Sequence, residues 1–210
     1  MSEIVWISTA PGHASNMRPF KNSFSNDEQR MIGLEWAQRN IDGEPLGNGS
    51  FPAEIWAIAS AEEKDYKLPD LFRAGDVWVV SSNAGDLMRQ FDLGEGGLYP
   101  VEVLKKDRST PVGGDWFCVN FGNKKAAFAP EQSINPRYDY IKDGRKGWFP
   151  RLPLKDGDFS VSSAAMSGPD IWVDPDVGDA IFFSNALGNA LKKTKVDKGF
   201  FLTKCRVIGV

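Results

Sequence analysis

Gly178–Lys193 reads GDAIFFSNALGNALKK, and an earlier stretch, Gly75–Phe91, reads GDVWVVSSNAGDLMRQF. Each begins with a Gly-Asp pair, runs through apolar residues, reaches a Ser and an Asn-Ala pair, and continues at helical spacing. Gly-Asp makes a turn, and an apolar run without polar alternation is a strand buried on both faces. A Ser at the strand's end offers its side-chain oxygen to the free N–H groups of a following helix. Ala84, Leu87, Met88 and Phe91 then fall at i, i+3, i+4 and i+7, and Ala186, Leu187, Ala190 and Leu191 make a similar stripe. Lys192 and Lys193 suit the negative end of the second helix. A glycine turn leads each copy into another strand, so each is a strand–helix–strand unit.

The likeness extends beyond the quoted core. Pro69-Asp70-Leu71-Phe72 faces Pro169-Asp170-Ile171-Trp172, and Gly97-Leu98-Tyr99 faces Gly199-Phe200-Phe201. Asn83-Ala84 matches Asn185-Ala186 after a one-residue slip. A nucleophile elbow is the catalytic alternative, and it requires G-x-S-x-G with a His partner. Ser81 sits in V-S-S-N and Ser184 in F-S-N-A, and the single His, His13, lies in the loop PGHASN. Both serines therefore read as helix caps.

Around these units the chain reads as α+β, with mixed or antiparallel sheets and short helices. Ile4–Thr9 is a strand, 12–27 a loop, 27–40 a helix carrying Met31, Leu34 and Trp36, and Glu54–Ser60 a strand. KKDRSTPVGG (105–114) reads as a basic linker, Trp116–Phe121 as a strand, and Phe159–Ser163 as another. Residues 122–153 give no clear assignment. The division is a strand/helix region over 1–67, then a region over 68–210 with units at 68–105 and 168–209 joined by the basic segment, the alternative being one compact domain overall.

Composition is that of a globular protein, 41% hydrophobic and 25% charged. Seven Trp and fourteen Phe favour a sheet-rich core or an aromatic binding surface. The net charge of −3 is uneven: residues 1–104 carry 8 Lys+Arg against 16 Asp+Glu, 105–151 carry 10 against 5, and the remainder 7 against 7. An acidic N-terminal half disfavours a nucleic-acid partner and attracts a basic protein surface. No window approaches a membrane span, and MSEIVWISTAPG has an acid where a signal peptide has basic residues. Cys118 and Cys205, each among apolar neighbours, read as buried free thiols, which implies a reducing, cytoplasmic setting.

One His and two scattered Cys do not make a zinc site, and no cofactor motif is present. Asp170, Asp174, Asp176 and Asp179 crowd into DIWVDPDVGD, but a calcium loop needs a Glu at its twelfth position and none is there, so this is a turn. DLGEGGLYP follows a helix and precedes a strand, the reverse of a phosphate-cradling loop. The basic, aromatic stretch 137–151 reads as a solvated loop with its aromatics packed inward.

The runs GPDIWV, GDAIFFSNALGNALKK and KGFFLTKCRV over residues 168–206 resemble the MXAN-type immunity domain of bacterial polymorphic-toxin systems. LPDLF and VWVVSSNAGDLMRQFDLGEGGLYPVEVL, over 68–105, resemble it more weakly, and the resemblance makes 68–210 an immunity-type region. The resemblance implies a cytoplasmic protein that binds and neutralises a cognate toxin, with nucleases among the candidates, and it implies no catalytic residue. If the acidic half makes the contact, Glu62, Glu63, Asp65 and Asp70 are the expected residues. Two alternatives stand beside it: an enzyme on carbohydrates or nucleotides using a carboxylate pair, and a binding module using exposed Trp116, Trp148 or Trp172.

Overall fold

The computed structural model describes residues 4–26, 28–58, 68–134, 136–142 and 145–209. Its strands in chain order are β1 (Ile4–Ser8), β2 (Met17–Arg18), β3 (Phe20–Asn22), β4 (Glu54–Ala57), β5 (Leu71–Ala74), β6 (Val77–Ser81) and β7 (Gly97–Leu104). They continue with β8 (Trp116–Asn120), β9 (Arg137–Lys142), β10 (Arg145–Phe149), β11 (Ser160–Ser162), β12 (Ile171–Trp172), β13 (Ile181–Ser184) and β14 (Leu202–Ile208). The helices are α1 (Arg30–Ile41), α2 (Ser82–Met88) and α3 (Asn185–Thr194). The fold is α+β and dominated by sheet, as the sequence implies.

The two repeated units have one topology. In the first, β5 pairs with β6, α2 follows, and β8 lies antiparallel between β6 and β7. In the second, β12 pairs with β13, α3 follows, and β1 lies antiparallel between β13 and β14. Each helix thus carries the chain over a central strand that belongs to neither half of the quoted repeat. In the second unit that strand is the N-terminal one, joined to β14 across nearly the whole sequence.

Side-chain alternation sorts the repeat into layers. Leu71 and Ile171, with Val80 and Phe183, face a shared core that also holds Trp6, Ala84, Met88, Leu187 and Leu191. Phe72 and Val79 face the other way, into a core with Phe20, Ile55, Val103, Trp116 and Cys118. Trp172 and Phe182 likewise face a third core, with Ile7, Phe159, Val161 and Cys205. The paired motifs PDLF and PDIW therefore send one residue to the common centre and the next to each unit's own interior.

The seven-stranded sheet, ordered β2-β5-β6-β8-β7-β4-β3, curls until its two edges are halves of one segment. β2 pairs with β5 and β3 with β4. Pro19 stands at the switch, where no backbone donor is needed, and its carbonyl accepts from Ile58 N at 3.0 Å. Residues 12–27 were expected to be loop, and these short strands correct that. Their alternation is too brief to show as a pattern, and the closure comes from distant partners.

The basic run 105–114 is also corrected: it joins the antiparallel pair β7 and β8 as a hairpin loop. Asp107 organises it, accepting from Ser109 N, Thr110 N and Thr110 Oγ1. Residues 122–134 run beside β11 and β12, with Lys124 bridged to Val173 and Phe128 to Val161, and Asp174 holds them there. That buried carboxylate accepts from Ala127 N and Phe128 N, each at 2.7 Å.

Candidate functional site

α1 is attached to the body by its C-terminal end. Asn40 Nδ2 donates to Val119 O at 2.8 Å, and Asn40 Oδ1 accepts from Phe121 N and Asn120 Nδ2 at 2.9 and 3.0 Å. Asn120 Oδ1 in turn accepts from Leu46 N, and Asn120 Nδ2 donates to Glu44 O. Burying these two side-chain amides costs little when each is satisfied in this way. One flank is held too, by Trp36 packed edge-on against Phe24 at 4.9 Å and by Gly33, where a Cβ would meet Phe24 Cβ at 2.7 Å.

Three apolar side chains in the first half of α1 are uncovered, next to exposed Glu35. Met31, Ile32 and Leu34 are 73%, 44% and 40% exposed. Beside them lies a cleft of about 790 Å³, floored by Arg73, Trp78, Val177 and Asp179 and bounded by Phe149. Arg73 Nη2 stands 3.7 Å from Asp76 Oδ1. Asp179 has a left-handed backbone, and burial raises its carboxyl pKa, while Arg137 and Arg73 pull it back down. The carboxylates of the floor thus answer to guanidinium groups, an arrangement unlike two acids sharing a proton. Among the described residues no group of three His, Cys, Asp or Glu gathers as a metal site.

Of the residues expected at the partner contact, Glu62, Glu63 and Asp65 lie outside the described residues. Asp70 is described, and its bonds are internal: Oδ1 accepts from Ser81 Oγ at 2.9 Å and Oδ2 from Lys198 N at 3.3 Å. Part of the charge imbalance along the chain is matched in space among the described residues. Arg108–Glu54 at 2.6 Å, Arg145–Asp42 at 3.2 Å and Lys124–Glu44 at 4.0 Å join the basic middle to the acidic half.

The tryptophans expected to be exposed are not. Trp116 and Trp172 are buried and Trp148 is half-buried against Tyr138. The inward packing expected of 137–151 holds only in part. Phe149 is buried, but Tyr138 and Tyr140 are 54% and 61% exposed on the β9–β10 hairpin. Ser81 and Ser184 are caps, accepting from Ala84 N at 3.3 Å and Leu187 N at 3.2 Å. Both cysteines are buried free thiols.

α1's open face escaped the sequence reading because Met31, Leu34 and Trp36 look like one core-facing stripe. The available signal was the weakness of the stripe, since Gly33 interrupts it and Trp36 falls five residues after Met31, off the three-and-four spacing.

The immunity protein family Imm11 matches residues 13–206, so the chain belongs to that family. No curated protein matches it. The match spans both units and the basic middle that separates them. Among the described residues no helix is long and apolar enough to cross a membrane.

Proposed function

We propose that this protein neutralises a cognate toxin by binding it stoichiometrically, without catalysis, and that it meets the toxin with the open face of α1 and the adjoining cleft. The observation that carries the contact is the cluster Met31, Ile32 and Leu34, three large apolar side chains exposed together on one helix. Single exposed apolar residues are ordinary, but a contiguous group beside a cleft marks an interaction surface. Membership in an immunity family supplies the kind of partner. A cytoplasmic site of action fits that role, and a nuclease is one class of toxin it would meet. Glu62, Glu63 and Asp65 enter the proposal as steering charges that act on association rate.

The test is the affinity for the toxin domain encoded by the adjacent upstream gene. A Met31→Ser/Leu34→Ser variant should bind about tenfold or more weakly, as for truncated interface anchors. Because both side chains are exposed, its unfolding midpoint should match the unaltered protein. Full affinity in this variant would remove α1 from the contact.

A further inference from the structure

The cleft beside α1 does not end at Asp179. A second depression of about 270 Å³ shares Phe149 and Asp179 with it, and is otherwise lined by Thr9, Gly12, Arg137, Pro150, Arg151 and Leu152. A third, of about 430 Å³, shares Thr9 and Leu152 with the second and runs to His13 and Phe201. Three depressions with common walls make one groove along this end of the molecule. Its length suits an extended chain better than a small molecule, whose sites are enclosed.

The groove's character changes along its course. At one end stand Met31, Ile32 and Leu34. At the other stand Leu152, 43% exposed, and Phe201, 39% exposed, whose ring stacks on His13 at 3.7 Å, while Lys192 and Asp197 on the same wall neutralise each other at 2.8 Å. Phe201 holds a left-handed backbone, φ 50°, which an aromatic residue adopts only when its surroundings hold it there. Between the apolar ends lie two guanidinium groups. Arg137 is exposed and reaches Asp139 only at 4.0 Å, and Arg151 is exposed and has no ion-pair partner among the described residues. Asp179 is the one carboxylate on this middle wall among the described residues. Apolar, cationic, apolar is the complement of a segment with a carboxylate between hydrophobic side chains. Guanidinium groups suit that task because they bind carboxylates in a planar, two-pronged way.

We infer that this groove takes an extended segment of the partner toxin, with an Asp or Glu at its middle seated against Arg137 and Arg151 and apolar side chains at both ends. The inference rests on the immunity reading and adds the chemistry of the bound segment. It assigns the closest contact to two guanidinium groups at the groove's middle, although the chain as a whole is acidic.

The experiment titrates the upstream gene's toxin domain into the full chain by calorimetry at low and at physiological salt. Arg137→Glu/Arg151→Glu is compared with the unaltered protein and with Lys21→Glu, a charge reversal at the exposed position of β3, outside the groove. Groove reversal should weaken binding about tenfold or more, since like charges are then juxtaposed, and should flatten the salt dependence. Lys21→Glu should bind as the unaltered protein does. Equal affinity for the groove variant overturns the groove while leaving the immunity reading in place. No complex with the unaltered chain overturns both. Should the double variant fail to fold, Arg151→Glu alone and Leu152→Ser decide by the same criterion, because both side chains are exposed.

Discussion

Asp70 and Asp170 hold equivalent posts and each grips the other's unit. Asp70 O accepts from Ser81 N and Asp170 O from Ser184 N, at 3.0 and 2.9 Å, so each precedes its own capped helix in the same way. Asp70 Oδ2 accepts from Lys198 N, just after α3, while Asp170 Oδ2 accepts from Asp92 N, just after α2. The backbones repeat the exchange: Leu71 N donates to Lys198 O at 3.1 Å and Asp170 N to Asp92 O at 2.7 Å. Two related units are thus clasped by reciprocal bonds around one core.

Removing either clasp should be felt. Asp70→Ala and Asp170→Ala should each lower stability by about 0.5–1.5 kcal/mol, the net worth of the hydrogen bonds removed. Urea unfolding measures this. A loss under about 0.5 kcal/mol for both, the range of neutral surface changes, would mean the side chains do not hold the units together.

The helices approach their central strands through equivalent glycines. Gly85 and Gly188 each stand four residues past the capping Ser, above Phe117 of β8 and Trp6 of β1. A Cβ on Gly188 would come within 2.2 Å of Trp6 Cδ1, and one on Gly85 within 2.9 Å of Phe117 Cδ2. Gly188→Ala should therefore cost about 1–3 kcal/mol through overpacking, despite alanine's better helix propensity. Gly85→Ala should cost less, because Phe117 is only half-buried and has room to turn. Thermal unfolding of the two variants gives the order, and the reverse order contradicts the packing described.

Lys125 predicts a pH dependence. Its Nζ donates to Pro169 O at 2.7 Å and lies 3.8 Å from the centre of the Trp172 ring. Burial lowers its pKa from 10.5 to about 8, against the opposing pull of Asp170 and Asp92. Between those values the unfolded chain keeps a proton that the folded chain has released, so stability should rise with pH across that window. Lys125→Met should flatten the rise. An unchanged slope would show that the ammonium group is not desolvated.

The thiols should be silent in the folded protein. Burial pushes Cys118 up to about 12 and raises Cys205 as well. A thiolate-directed reagent should label both only as fast as the chain opens, and fast labelling under native conditions would contradict their burial.

Much of this architecture is legible in the sequence, because the repeat is written in local chemistry. The caps Ser81 and Ser184, the doubly buried strands β6 and β13, and the turn at Gly75-Asp76 each follow from a few adjacent residues. The one-residue slip between the helices is not real. With the capping serines aligned, Gly85 meets Gly188 and Met88 meets Leu191, a register visible only when the cap is taken as the origin. What the sequence conceals is long-range. Nothing local says that β1 completes the second unit, that Pro19 divides one segment between two neighbours, or that Arg145 crosses to Asp42. The exposed face of α1 was hidden for the same reason, since a helix stripe shows that residues share a side but not whether anything covers it.

The central claim is that this chain protects by forming a complex. The direct measurement is co-expression with the C-terminal region of the adjacent upstream gene's product, followed by purification and mass determination of whatever the two form. Restored growth together with a stable complex of defined stoichiometry is the predicted result. Restored growth without any complex, or a toxin that kills equally well in the presence of the folded protein, would contradict it.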